Sequence, residues 1–258
     1  MEYRSMARLP TTARGRLARS GLLSVGLATI GLAMILVPPI ELTTSETSAL
    51  SSWWWRLGIG LWLSAAVLLV ICLSVAGRIS RPFSFYALEK GALLPGDLAM
   101  LVGGIRMMQV GFGPSYVGPF ALGLVIGLVA MPLAVAFRAK WFRQAISEGH
   151  LSKALNIGEA TWDPRFDADH VLKDPRLQRS GCLLSLLFWS GPALGLALSD
   201  IVGQAPALAI AGLLGASMGY VGLLAYGTDL AVLFLELESM ERRLNRRITL
   251  EPEFIRGG

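Results

Sequence analysis

The sequence predicts an all-α integral membrane protein, a polytopic bundle of about six transmembrane helices with both termini cytoplasmic. Three observations carry that reading. Charged residues make up 16% of the 258 positions and hydrophobic ones 53%, whereas soluble domains hold about 25% charged and about 45–50% apolar residues. The apolar residues gather into long runs, near the roughly 20 residues that a bilayer core about 30 Å thick asks of a helix. Lys and Arg gather between alternate runs, which is the bias of cytoplasmic segments. Within lipid a helix satisfies its own backbone groups, so spans of this kind are α-helical.

Residues 1–20 form a basic N-terminus carrying Arg4, Arg8, Arg14, Arg16 and Arg19. The apolar run 21–40 follows and closes on Pro38-Pro39. A secretory signal peptide has an apolar core of only about 7–15 residues and a small-residue cleavage site, so an uncleaved first span is expected. Trp53-Trp54-Trp55 marks a membrane interface, where an indole ring is half buried and its N–H stays wet. The second span is 57–76. A short basic segment, 78–90, leads to the ambiguous run 93–112, which contains Asp97, Arg106 and Gly103-Gly104. The turn residues Gly111-Phe-Gly-Pro-Ser115 introduce a clear span at 117–137. A hydrophilic stretch occupies 138–180. Two more spans, 182–199 and 206–232, flank the short connection 200–205, and a charged helix, 236–247, continues from the last of them.

Whether 93–112 crosses the membrane is decided by charge rather than propensity. Arg or Asp at a helix centre costs about 2.5–3.5 kcal/mol and each Leu or Ile returns only about 0.3–0.6, so the run alone is marginal. Five Lys or Arg precede the first span, three lie in 78–90, eight in 138–179 and five after the last span. With six spans these groups share one side, and Arg56 stands on the other. With the alternative of five spans, the last two groups would change sides. Six is therefore the expectation. The blocks are the basic N-terminus 1–20, four spans with short loops over 21–137, a cytoplasmic charged loop over 138–180, two spans over 181–235 and a cytoplasmic helical tail over 236–258.

Small residues at three- and four-residue spacing, as in Gly123, Gly127 and Ala130 or Gly212, Gly215, Ala216 and Gly219, let helices approach closely within a membrane bundle. Asp97 and Arg106 are candidate intramembrane charges, because a charge in a span must pair or face a polar cavity. Nine residues apart, they fall on opposite helix faces and cannot pair with each other. Asp97 could instead cap its helix beside Pro95 and Gly96. Arg106 could snorkel or bind carbonyls.

No residue carries a catalytic assignment. Gly215-Ala-Ser-Met-Gly219 fits the G-x-S-x-G pattern, but a serine nucleophile needs a base within hydrogen-bond reach. Both histidines, His150 and His170, lie in the hydrophilic stretch. Asp163, Asp167, Asp169 and His170 resemble a metal cluster, yet they lack the order of a calcium loop and the Cys/His set of a zinc site. Arg165, Lys173 and Arg176 are interleaved with them, so a solvated, self-neutralising surface is expected, with no metal. Cys72 and Cys182 show no paired spacing, and no cofactor motif occurs.

The net charge of +5 follows from cytoplasmic Lys and Arg, so no nucleic-acid partner is expected. Arg242, Arg243, Arg246 and Arg247 form a candidate docking face for a protein partner or for anionic lipid. The expected role is a non-catalytic subunit of a larger assembly in a bacterial inner (cytoplasmic) membrane, partnered by the bilayer and by other membrane or cytoplasmic subunits. The alternative is a small transporter or channel using Asp97 and Arg106.

Overall fold

A computed structural model describes residues 12–36, 46–112, 117–147, 154–166 and 204–256. The chain is mostly helical. α1 (Ala13–Leu36) begins eight residues before the first apolar run, because Thr12 caps it. The Gly15 amide donates to Thr12 Oγ1 at 3.1 Å, closing one of the free N–H groups of the first turn. Arg14, Arg16 and Arg19 thus extend the same helix beyond its apolar part. α2 is Glu46–Val75, α3 is Pro82–Gly91, α4 is Leu94–Phe112 and α5 is Val117–Ser147. Two short strands follow, β1 (Leu155–Asn156) and β2 (Thr161–Trp162), then α6 (Gln204–Leu244), β3 (Thr249–Leu250) and α7 (Pro252–Arg256).

Among the described residues, four helical stretches are long and apolar enough to cross a membrane: Ala13–Leu36, Trp53–Arg78, Pro82–Val110 and Ala207–Leu244. An all-α membrane protein accounts for them. The marginal run 93–112 is among them, as helix α4. It is the most enclosed of the four, packing on α1, α2, α5 and α6. That position explains its composition, since a central helix can carry polar groups that a lipid-facing one cannot. By contrast, Leu63, Val67 and Val70 on α2 and Val125, Leu128, Val129, Leu133 and Phe137 on α5 are exposed. The expected span 182–199 lies outside the described residues.

Pairwise contacts fix the helix directions. Gly21 lies on Leu69 and Gly58 on Leu32 and Ile35, so α1 and α2 are antiparallel. Gly96 meets Ser24 and Gly103 meets Gly31, so α1 and α4 are parallel. Gly104 meets Gly212 and Gly219 meets Asp97, so α4 and α6 are antiparallel. Arg138 meets Asp229 and Arg143 meets Glu236, so α5 and α6 are parallel.

These directions bring the start of α1, the end of α2, α3, the start of α4 and the ends of α5 and α6 to one end of the bundle. There they form a second hydrophobic core. Leu17, Phe85, Tyr86, Phe142, Trp162, Leu237, Ile248, Leu250 and Phe254 are all buried in it. β1 and β2 pair antiparallel, and β2 pairs parallel with β3 through Thr161↔Thr249 and Trp162↔Leu250. The expected solvated stretch 138–180 is, over its described residues, part of this folded end. The expected helix 236–247 ends at Leu244. Asn245 then takes φ 47°, the left-handed conformation that ends helices, and Arg246 N–H returns to Glu241 O at 3.3 Å. Glu241 Oε1 accepts the Ile248 amide at 3.0 Å, turning the chain into β3 and α7.

Candidate functional site

The seam between α1, α4 and α6 is built from glycine. A Cβ on Gly96 would stand 2.6 Å from Ser24 O, and one on Gly103 would stand 2.5 Å from Gly31 O. On the other face of α4, a Cβ on Gly212 would lie 2.6 Å from Gly104 O and 2.7 Å from Met108 N. Gly219 packs on the Asp97 and Leu101 backbone, and Gly215 packs on the Met34 side chain. The G-x-S-x-G segment 215–219 therefore supplies helix packing at both of its glycines.

Asp97 sits in the first turn of α4 with 3% of its surface exposed. It is not the cap of that turn. Ser24 of α1 takes that role, its buried Oγ accepting the Gly96 amide at 3.1 Å. The Asp97 carboxyl instead lies against α6, where a Cβ on Gly222 would be 2.8 Å from both Cγ and Oδ1. Among the described residues its Oδ2 has no hydrogen-bond partner. One helical turn along α6, Tyr226 lies within electrostatic reach of both Asp97 and Asp229. Asp229 pairs with Arg138 of α5 at 2.9 Å and approaches Lys90 of α3 at 3.9 Å. Lys90 Nζ also stands 5.3 Å from the centre of the Tyr226 ring. Asp97, Tyr226, Asp229, Lys90 and Arg138 thus form a line from the seam to the polar end, closing on Arg138, which is half exposed.

Asp229, Tyr226 and Lys90 were missed by the sequence reading. Asp229 is the one charged residue within the run 206–232, and that lone acidic residue was the signal available. Arg106 stands nine residues from Asp97, about 14 Å along the helix axis, and its buried Nε likewise lacks a partner among the described residues. The two charges occupy different regions of α4, as their spacing requires.

The polar end holds a second group. Arg16 donates from Nε and one terminal nitrogen to the two oxygens of Glu89, each at 2.9 Å, and from the other to Pro164 O at 2.9 Å. Its guanidinium also lies 5.3 Å from the Phe85 ring centre and 5.8 Å from that of Tyr86. This fork geometry is the strong form of Arg–carboxylate pairing. The fully buried Trp162 donates its indole N–H to Tyr86 Oη at 3.0 Å.

Asp163 gives its carboxylate to Arg165, at 2.9 Å from Nε to both oxygens. That hydrogen bond raises the Arg165 guanidinium above its ordinary value, aided by the charges of Asp163 and Glu253 and opposed by burial. Asp167, Asp169 and His170 lie outside the described residues, as do His150 and Cys182. Among the described residues no group of three or more His, Cys, Asp or Glu side chains could hold a metal. Arg242, Arg243, Arg246 and Arg247 are all exposed on the rim of this end. Arg242 pairs with Glu238 one turn away at 2.6 Å.

No family model, curated protein or solved structure matches this chain.

Proposed function

We propose that the protein is a non-catalytic subunit of a larger inner-membrane assembly. In this reading the bundle is its anchor and the folded polar end is its cytoplasmic docking face. One observation carries the reading. Segments from α1, α3, α5, α6 and the C-terminus fold into a single core at that end, and four arginines stand exposed at its rim. Rigid support of an exposed basic face suits recognition of an acidic surface, because fixed charges steer encounter and set register. Reversing Arg242, Arg243, Arg246 and Arg247 to Glu should abolish co-purification of partner chains while membrane insertion stays unchanged. Moderate salt should reproduce part of the loss, since exposed charges are screened beyond about 8 Å at physiological ionic strength. Retention of every partner by the reversed protein refutes the docking face.

The same reading uses six spans with cytoplasmic termini. The parallel packing of α5 and α6 supports an odd number of crossings between Ser147 and Gln204, as does the grouping of Lys and Arg. Reporter fusions after Glu89, Gly158 and Arg247 should read cytoplasmic, and those after Thr47, Ser115 and Gly203 should read from the other side. A non-cytoplasmic signal after Gly158 and Arg247 refutes this topology.

A second reading, a small transporter or channel, is favoured by the buried atoms of Asp97 and Arg106 that have no partner among the described residues. A lone, substrate-responsive protein in mild detergent would favour it over the assembly subunit.

A further inference from the structure

The seam holds a carboxyl that the docking role does not use. Asp97 is 3% exposed, has one oxygen without a partner among the described residues, and has the α6 backbone at Gly222 directly upon it. An ionised carboxylate in such a place lacks the paired charge that would offset its lost hydration.

Among the described residues the surroundings supply no such charge. Residues 20–36 of α1, 57–75 of α2 and 117–137 of α5 contain no Asp, Glu, Lys, Arg or His, and Ser24 already caps α4. The titratable groups towards Asp97 are Tyr226 and Asp229 on α6, Lys90 on α3 and Arg138 at the end of α5. Both cations are engaged by Asp229.

We propose that Asp97 is a proton-binding site on the α4–α6 seam, loaded from the polar end past Arg138, Asp229 and Tyr226. A proton suits the site where a metal ion does not. Calcium takes about 6–8 oxygen ligands and magnesium near-ideal octahedral geometry, whereas even a methyl group at Gly222 would crowd this carboxyl. A proton needs no volume, and it converts the partnerless oxygen into a neutral hydroxyl. Loading favours close packing of α4 on α6, because the neutral acid tolerates burial. Unloading favours separation, because the carboxylate seeks water. The proton therefore stabilises the packed seam, and that contribution is lost as pH rises. This holds under either reading of function, since a responsive anchor and a conducting bundle would both carry the same site.

Infrared difference spectroscopy on the full chain in lipid nanodiscs, stepped through pH, tests the proposal. A neutral carboxylic acid has a carbonyl band that vanishes on ionisation. Exposed carboxyls have ionised by about pH 6, so a band persisting above that and lost in Asp97→Asn is the expected result. Tyr226→Phe should keep the band and shift its midpoint, which preserves the test if Asp97→Asn fails to assemble. Absence of a persistent band in the wild-type protein overturns the proposal. So does a band whose loss follows sodium at constant pH, since the site would then take a metal cation.

Discussion

Gly104→Ala should destabilise the bundle, whereas Gly60→Ala should leave it unchanged or slightly more stable. The new methyl at Gly104 would strike Ala216 N and Gly212 O and come within 2.7 Å of Ala216 Cβ. None of these can swing aside, because two belong to the α6 backbone and the third is fixed to it. Overpacking of this kind costs about 1–3 kcal/mol, occasionally more. Gly60 on α2 has nothing within 4 Å of a Cβ, and Ala is the better helix former by about 0.8–1.0 kcal/mol in water. Unfolding midpoints in one detergent compare the two directly. Equal and opposite shifts are not required, but a Gly104→Ala midpoint at or above wild type would contradict the close approach of α4 and α6.

Trp162→Ala should be the most damaging single change at the polar end. The ring is fully buried, stacks on Phe142 with centroids 6.4 Å apart, and holds the Tyr86 hydroxyl. Truncating a buried Trp to Ala typically costs about 3–5 kcal/mol. The outcome expected is rapid proteolysis of α7 and the β3 segment, while the apolar helices remain membrane-protected. Trp162→Phe keeps most of the apolar area and loses the hydrogen bond to Tyr86, a net loss of about 0.5–1.5 kcal/mol. It should therefore fall between Trp162→Ala and wild type. Wild-type resistance in Trp162→Ala would mean that this core is not what orders the polar end.

The apolar helices were legible in the sequence because their signal is local. Length, hydropathy and turn residues placed α4 within one residue of its observed start, and the small-residue spacing at Gly212, Gly215 and Gly219 marked the face that packs. The polar end was not legible for the opposite reason. Phe85 with Tyr86, Trp162 and Phe254 come from three separate segments, each too short to announce a shared core. Two-residue strands are too short to show an alternating pattern. The role of Asp97 was obscured in the same way. Pro95 and Gly96 beside it suggest a cap, but the cap comes from Ser24, 72 residues earlier, a contact that no local pattern encodes.

The forked bond between Arg16 and Glu89 also has a bearing on biosynthesis. Arg16 precedes Glu89 by 73 residues and Pro164 by 148, so it emerges from the ribosome long before either acceptor exists. For that interval neither of these two contacts can form. Once Glu89 and then Pro164 are made, the same guanidinium becomes an internal tie. Arg16 thus acts as a late latch, and the polar end cannot close until the chain beyond α5 has been synthesised.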